Sequence, residues 1–345
     1  MTLPESDDHA DAVLGVLLGT AIGDSIGLPF EGLSPQRVER RLARRPLGHS
    51  LVLGRGMISD DTEHTSMVAR ALLRSNGDPR QFARAFARSL RWWVLALPPG
   101  VGLATLRGGL RSWVGFSPER SGVHSAGNGP AMRAALLGLR ARDDAHLVEL
   151  VRASTRVTHT DPRAEAGALL VSRWAREGGA PTERLVELAA QIEDPELRAQ
   201  VLRAIEAANR GDTPAALAAE LGWTRGVSGF VVHTLPAVAY CWLRHRGDPR
   251  SAIEAAIRLG GDTDTVAAIV GALAGAEVGA RGLPAEWIEG IRDWPIGVAH
   301  LRALAAALTN RELAAPRISW AGLLGRNLLV LGIVVTHVLA RLLGR

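Results

Sequence analysis

The sequence predicts an all-α fold, and three observations carry that prediction. Ala, Leu, Arg and Glu dominate the 345 residues, and these residues form helices readily. Alternating β-branched runs of the kind that make half-buried strands are almost absent. The longer segments place apolar residues at a period of 3.6 between recognisable start and stop signals. A chain of this length can bury a large core as one big domain or two small ones. We divide it into a compact multi-helix domain over residues 10–310 and a C-terminal apolar helical extension over residues 318–345.

The elements follow in chain order. The N-terminus is acidic, and the apolar stretch 12–23 is bracketed by Asp11 and Asp24. A secretory signal needs a basic region before its apolar stretch, so we expect a cytoplasmic protein. A helix is expected from about Glu63 to Arg74, stopping before Asn76-Gly77. A second starts after Asp78-Pro79 and carries Phe82, Phe86 and Leu90 on one face. Residues 97–129 hold Pro98, Pro99, Pro118 and many glycines, and read as a long irregular segment. Such a segment in a compact helical protein is often functional. Residues 182–207 hold one or two helices, with Asp194-Pro195 as a break. Gly77-Asp78, Gly211-Asp212 and Gly247-Asp248 punctuate helices at irregular spacing, so they do not indicate a solenoid repeat. Near the end, residues 328–340 are almost wholly apolar, interrupted only by Thr336 and His337, with Arg326 and Arg341 as flanks. The run is shorter than the ~20 apolar residues of a membrane span. It reads as a helix docked on the domain or on a partner subunit, or as a tail that associates with a membrane through its flanking arginines.

The pI near 10.8 invites a nucleic-acid reading, but the composition argues against one. There is no Lys, so all 40 basic residues are Arg, and the net charge is only +5. Arg stays charged to very high pH, so a modest excess gives an extreme pI. The densest basic run, 37–45, is interrupted by Glu39, Leu42 and Ala43 and reads as a solvated helix face. The single cysteine, Cys241, excludes an internal disulfide and any Cys-based zinc site. It lies in the apolar run Val238-Ala239-Tyr240-Cys241-Trp242 and reads as core rather than nucleophile.

Two acidic loops carry the chemistry. In Gly260-Gly261-Asp262-Thr263-Asp264-Thr265, two glycines permit a tight turn before an apolar helix. One Asp suffices as a helix cap. Two carboxylates and two hydroxyls in four residues also supply hard oxygen ligands, suited to Mg²⁺, Mn²⁺ or Ca²⁺. An EF-hand is excluded, because its sixth and twelfth positions fall on Ala267 and Leu273. The other loop, Gly54 to His64 with Ser59-Asp60-Asp61-Thr62 at its centre, again leads from glycines into a helix. Taken alone it is equally cap or ligand. Adjacent carboxylates are unfavourable unless a cation neutralises them, so the two loops together point to one divalent-metal site.

These loops, with the residues around them, resemble the ADP-ribosylglycohydrolase family over roughly residues 11–300. Five motifs carry the resemblance, in the family's order. They are Gly15-Val16-Leu17-Leu18-Gly19-Thr20-Ala21-Ile22-Gly23-Asp24-Ser25-Ile26-Gly27; Ser59-Asp60-Asp61-Thr62; Gly127-Asn128-Gly129-Pro130-Ala131-Met132-Arg133; Thr158-His159-Thr160-Asp161-Pro162; and Gly261-Asp262-Thr263-Asp264-Thr265. Any one is weak, whereas all five in order are specific. The resemblance implies a centre of two Mg²⁺ or Mn²⁺ ions ligated by Ser59, Asp60, Asp61, Asp262, Asp264 and Thr265. It implies that Glu31 sits at that centre, as a base or as a gate displaced by substrate, and that Asp61 shares in catalysis. It implies ADP-ribose contacts from Ser125, Gly127, Asn128, Gly129, Met132 and His159. The substrate would be an ADP-ribosylated protein or small molecule, cleaved at C1″ through a transition state of oxocarbenium character.

This chain departs from the family pattern in several places. The second His of the Thr-His-x-His-Pro stretch is Asp161, and Ala126 stands where some relatives place an aromatic. Adenine stacking is then expected from Phe116 or Trp113. His64 reads either as a residue approaching the metals or as a surface residue. The rival to an enzyme is a non-catalytic ADP-ribose binder, tethered or oligomeric through its C-terminal helix. The acceptor from which ADP-ribose would be removed is not encoded in these motifs.

Overall fold

The computed structural model describes residues 7–51, 54–310 and 312–342, with side chains to residue 332. Its elements are helices joined by turns, and among the described residues it contains no strand, only isolated bridges between loops. The all-α expectation holds. Nine helices position the site: α1 (Asp7–Gly27), α2 (Asp60–Ser75), α3 (Pro79–Leu95), α4 (Leu103–Trp113), α5 (Pro162–Arg176), α6 (Pro195–Arg210), α7 (Val231–Arg244), α8 (Thr263–Val278) and α9 (Trp320–Leu342).

The centre of the molecule is the antiparallel pair α1 and α8. Gly15, Gly19, Gly23 and Gly27 recur every fourth residue on α1, so they form one ridge. A Cβ on Gly19 would lie 2.0 Å from the carbonyl oxygen of Gly271, and one on Gly15 2.1 Å from that of Gly275. Only glycine permits this approach of main chain to main chain. Both helices are apolar almost all round, as expected for elements buried on every side. By length and composition α1 could cross a membrane, but 83% of its apolar window is buried inside the molecule, so it is a core helix. The pairing brings the C-terminal end of α1 against the N-terminal end of α8.

The other helices close around this pair. α2 begins at Asp60, three residues before the expected start, because Ser59 caps it by accepting from the Asp61 amide. It ends at Asn76, which takes the left-handed conformation at φ 49°. Asp78 caps α3 and accepts from the Gln81 amide at 2.7 Å, and Phe82, Phe86 and Leu90 are buried as the periodicity requires. The break at Asp194-Pro195 is real: one helix spans Thr182–Ala190, and α6 starts behind the Asp194 cap. The basic run 37–45 lies on and beyond the exposed helix Pro35–Leu42, where Glu39 pairs with Arg258. Cys241 is fully buried in α7, and burial pushes its thiol pKa up, so it is core.

Two expectations change. The segment 97–129 is not irregular throughout, since it contains the eleven-residue α4. The glycines that argued against a helix serve close packing instead: a Cβ on Gly108 would lie 2.6 Å from the Val157 oxygen, and one on Gly109 would meet Val94. The C-terminal extension docks by its first turns, with Leu323, Arg326 and Asn327 buried. Leu328, Leu329 and Leu331 are exposed, and the remaining residues to 345 lie outside the described side chains. The membrane reading of the tail is not borne out.

Candidate active site

Asp24, near the end of α1, organises the first acidic loop. Its carboxylate accepts from the Ser59 amide at 2.9 Å, the Thr62 amide at 3.1 Å and the Thr62 hydroxyl at 2.5 Å. It therefore ties the N-terminus of α2 to α1. Complete burial raises its pKa to about 6 in spite of those bonds. Sequence reasoning did not assign Asp24 a role in the site. Its signal was a lone carboxylate inside an otherwise apolar run.

The second loop is held by main-chain pairing. The Gly261 amide donates to Leu33, the Gly32 amide donates to Gly261, and the Asp262 amide donates to Val227. Gly260 and Gly261 have φ of 66° and 80°, and a Cβ on Gly261 would lie 2.0 Å from the Val227 oxygen. The glycines are thus required, as the sequence implied. Asp262 occupies the cap position of α8 but makes no capping bond. Instead it accepts from the Asn128 amide group at 2.7 Å. The capping alternative for this residue falls away.

The two loops meet. The Asp61 carboxylate accepts from the Ser59 hydroxyl at 3.2 Å and from the Thr265 hydroxyl, 204 positions away, at 3.4 Å. Burial, and then neighbouring carboxylates, push Asp60, Asp61 and Asp264 well above the usual carboxylate range. Buried like charges this close need protons or a cation. One oxygen each of Asp61 and Asp264 is buried without any partner. Native proteins rarely leave such atoms unsatisfied, and hard oxygen donors in this state suit a divalent cation. The fit is to ligands brought to one place rather than to a finished cage. Among the described residues, no three acidic, His or Cys side chains stand at coordinating spacing.

Above the loops opens a cavity of about 610 Å³, a size typical of small-molecule sites. Glu31, Ser59, Asp60, Asp262, Asp264 and Thr265 line one wall. Ser125, Gly127, Asn128, Gly129, Met132 and His159 line another. Asp61 lies below the cavity, fully buried, and does not line it. Glu31 is the exposed carboxylate of the first wall, and desolvation, then the charges of Asp262 and Asp24, raise its pKa. Pro99, Gly100 and residues 102–105 form the rim, and Val227, Ser228 and Gly229 complete the wall. No motif marked the 227–229 stretch, whose main chain pairs with Asp262 and Asn128.

The second wall rests on Arg133. This fully buried guanidinium donates to the Gly129 oxygen at 2.9 Å, the Thr158 hydroxyl at 2.8 Å and Ser154 at 3.1 Å. Burial lowers its pKa to about 9. The His159 Nδ1 pairs with Thr158 at 2.8 Å, and a Cβ on Gly127 would lie 2.9 Å from its Nε2. Burial, then Arg133, lowers the His159 pKa to about 3, so the ring is neutral at ordinary pH. Asn128 gives its side-chain amide to Thr234 and Asp262, and so braces the second loop as well as lining the cavity.

Other expectations are corrected here. His64 is in the core and not on the surface, packed edge-on to Trp93 with centroids 4.6 Å apart and accepting from Arg133 at 3.2 Å. Asp161 caps α5 and pairs with Arg163, so its charge is spent on the helix rather than on the cavity. Trp113 packs against Trp92, and Phe116 sits beneath Arg111. Neither lines the cavity, so neither is placed to stack on adenine there.

Comparison with known proteins bears on the family and the fold. The family model described as ADP-ribosylglycohydrolase matches residues 5–317. The ADP-ribosyl-[dinitrogen reductase] glycohydrolase of Rhodospirillum rubrum is 29% identical over 303 residues, covering 84% of this chain and 92% of that one. The ADP-ribosylhydrolase ARH3 of Danio rerio is 28% identical, covering 79% and 84% respectively. A solved structure titled as an ADP-ribosylglycohydrolase-related protein complex superposes with a TM-score of 0.66 at 29% identity, covering 88% of this chain and 99% of that one.

Proposed function

The chain belongs to the ADP-ribosylglycohydrolase family, and from that membership we propose that it hydrolyses ADP-ribose from a modified protein or small acceptor by cleaving the bond at C1″. The observation that carries the reading is the pair of unpartnered, buried carboxylate oxygens of Asp61 and Asp264, where two distant loops converge. Two Mg²⁺ or Mn²⁺ ions held by Ser59, Asp60, Asp61, Asp262, Asp264 and Thr265 would supply Lewis acidity for orienting a ribose diol and activating water.

The chain's own residues supply the rest. Glu31 faces the cavity beside Asp262, with its pKa raised toward the working range of a general base. It takes the proton of the attacking water. Asp61, enclosed beneath, links the two loops rather than reaching substrate. Ser125, Gly127 and Gly129 present small polar and main-chain groups to a diphosphate, and the neutral His159 adds a ring nitrogen without adding charge. Met132 contributes the apolar part of that wall. The test is hydrolysis of ADP-ribosylated arginine, serine and small-molecule substrates with Mg²⁺ or Mn²⁺. Absence of turnover on all of them, with metal demonstrably bound, defeats the reading.

A further inference from the structure

The family match ends at residue 317, yet a residue of α9 reaches the first acidic loop. Arg326 is buried. Its Nε and Nη2 donate to the two carboxylate oxygens of Asp293 at 3.1 and 2.6 Å, and Nη2 also donates to the Ile58 oxygen at 2.5 Å. Asp293 in turn accepts from the Ile58 amide at 2.9 Å. Both main-chain groups of Ile58 are therefore gripped by one buried ion pair. Ile58 immediately precedes Ser59, whose own amide is held by Asp24. Arg326 Nη1 also lies 3.7 Å from Glu63 in the first turn of α2, and Glu63 accepts from the Trp93 ring nitrogen at 2.5 Å. The acidic loop is thus pinned from α1 on one side and from α9 on the other.

We propose that Arg326, in the C-terminal extension, is a positioning residue that fixes the main chain of the first acidic loop and so sets where Ser59, Asp60 and Asp61 present their oxygens. The planar fork is what the task needs. A guanidinium bonds both oxygens of one carboxylate with two separate nitrogens and still reaches a carbonyl, whereas an ammonium must make every such bond from a single nitrogen. Removing it strands Asp293 as a buried unpaired charge, and the grip on Ile58 goes with it. The functional consequence rests on the reading that this loop holds divalent cations.

The test uses the full chain and three variants, read by amide hydrogen exchange and by Mn²⁺ titration followed by electron paramagnetic resonance. R326Q should exchange at Ile58 and Ser59 about tenfold faster or more, with residues 262–265 unchanged. It should bind Mn²⁺ roughly 10–100-fold more weakly, the usual cost of losing a group that orients a ligand. L323A, which empties a buried position on the same helix, should lower the melting temperature and leave both readouts near wild type. R326K keeps the charge without the fork and should fall between wild type and R326Q; it decides the matter if R326Q does not fold. Wild-type exchange and wild-type Mn²⁺ affinity in the Arg326 variants overturn the proposal, and so does L323A matching R326Q in both. If the unmodified chain binds no Mn²⁺, the binuclear reading fails, and the exchange measurement alone still decides whether Arg326 positions the loop.

Discussion

At the scale of single residues, the site divides its carboxylates by where they sit. Glu31 and Asp264 both line the cavity, but Glu31 is exposed, whereas Asp264 is buried and has an unpartnered oxygen. E31Q should therefore lower kcat by about 10²–10⁴-fold, the range for a general acid–base group, with Mn²⁺ affinity little changed. D264N should lower the affinity itself, and saturating Mn²⁺ should recover part of its activity. Titrating both variants with Mn²⁺ while following hydrolysis separates them. Away from the site, His300 is one of the buried histidines that make the fold sensitive to acid. Burial, then Arg70, lowers the pKa of His300 from 6.5 to about 4. Above pH 6.5 it is neutral folded and unfolded and contributes nothing. Between pH 6.5 and 4 the unfolded chain binds the proton and the native chain does not, so stability falls as pH falls. H300Q should thus lose about 2 kcal/mol less than wild type between pH 7 and 5, as read from urea midpoints. The acidic loops were legible because four oxygen donors stand within four residues of each other. Asp24 was not, because its partners are amides 35 and 38 positions away.

At the scale of elements, the glycine ridge of α1 matters more than any apolar side chain it carries. G19A adds a methyl group 2.0 Å from a main-chain oxygen. No side chain can move aside, so the helices must separate, and the cost should reach at least about 3 kcal/mol, the upper end for overpacking. The same change at Gly48, with nothing within 4 Å of its Cβ, should stay within about 0.5 kcal/mol. Chemical denaturation of both variants checks the contrast. Most helices could be read from caps and periodicity, since Asp78 and Asp194 cap where the sequence marked starts. α4 escaped because its two glycines look like breakers until the neighbouring main chain is in place. The Arg326–Asp293–Ile58 grip escaped because it joins positions up to 268 apart, with no local pattern at either end.

At the scale of the whole molecule, the acidic site lies within an arginine-rich protein of net charge +5, and the rim of its cavity is apolar. Leu103 lines that rim and is 69% exposed, and Leu97 nearby is 55% exposed. Under the proposed activity, this exposed apolar rim is the surface that an acceptor protein would meet. L103E should raise KM for an ADP-ribosylated protein by about tenfold, as loss of a moderate interface contact does. It should leave kcat and KM for a small ADP-ribosylated arginine unchanged, and parallel assays on the two substrates measure this. The bare contact between α1 and α8 has one more consequence. α1 and α8 meet main chain to main chain at Gly15, Gly19 and Gly23, and the side chains of Asp24 and of the Asp61–Thr265 pair tie the two acidic loops to that contact. At those glycines no side chain separates the two helices, so the backbone itself sets their spacing. A change that widens that spacing would draw the loop of Asp262–Thr265 away from Asp24 and from the first acidic loop that Asp24 holds.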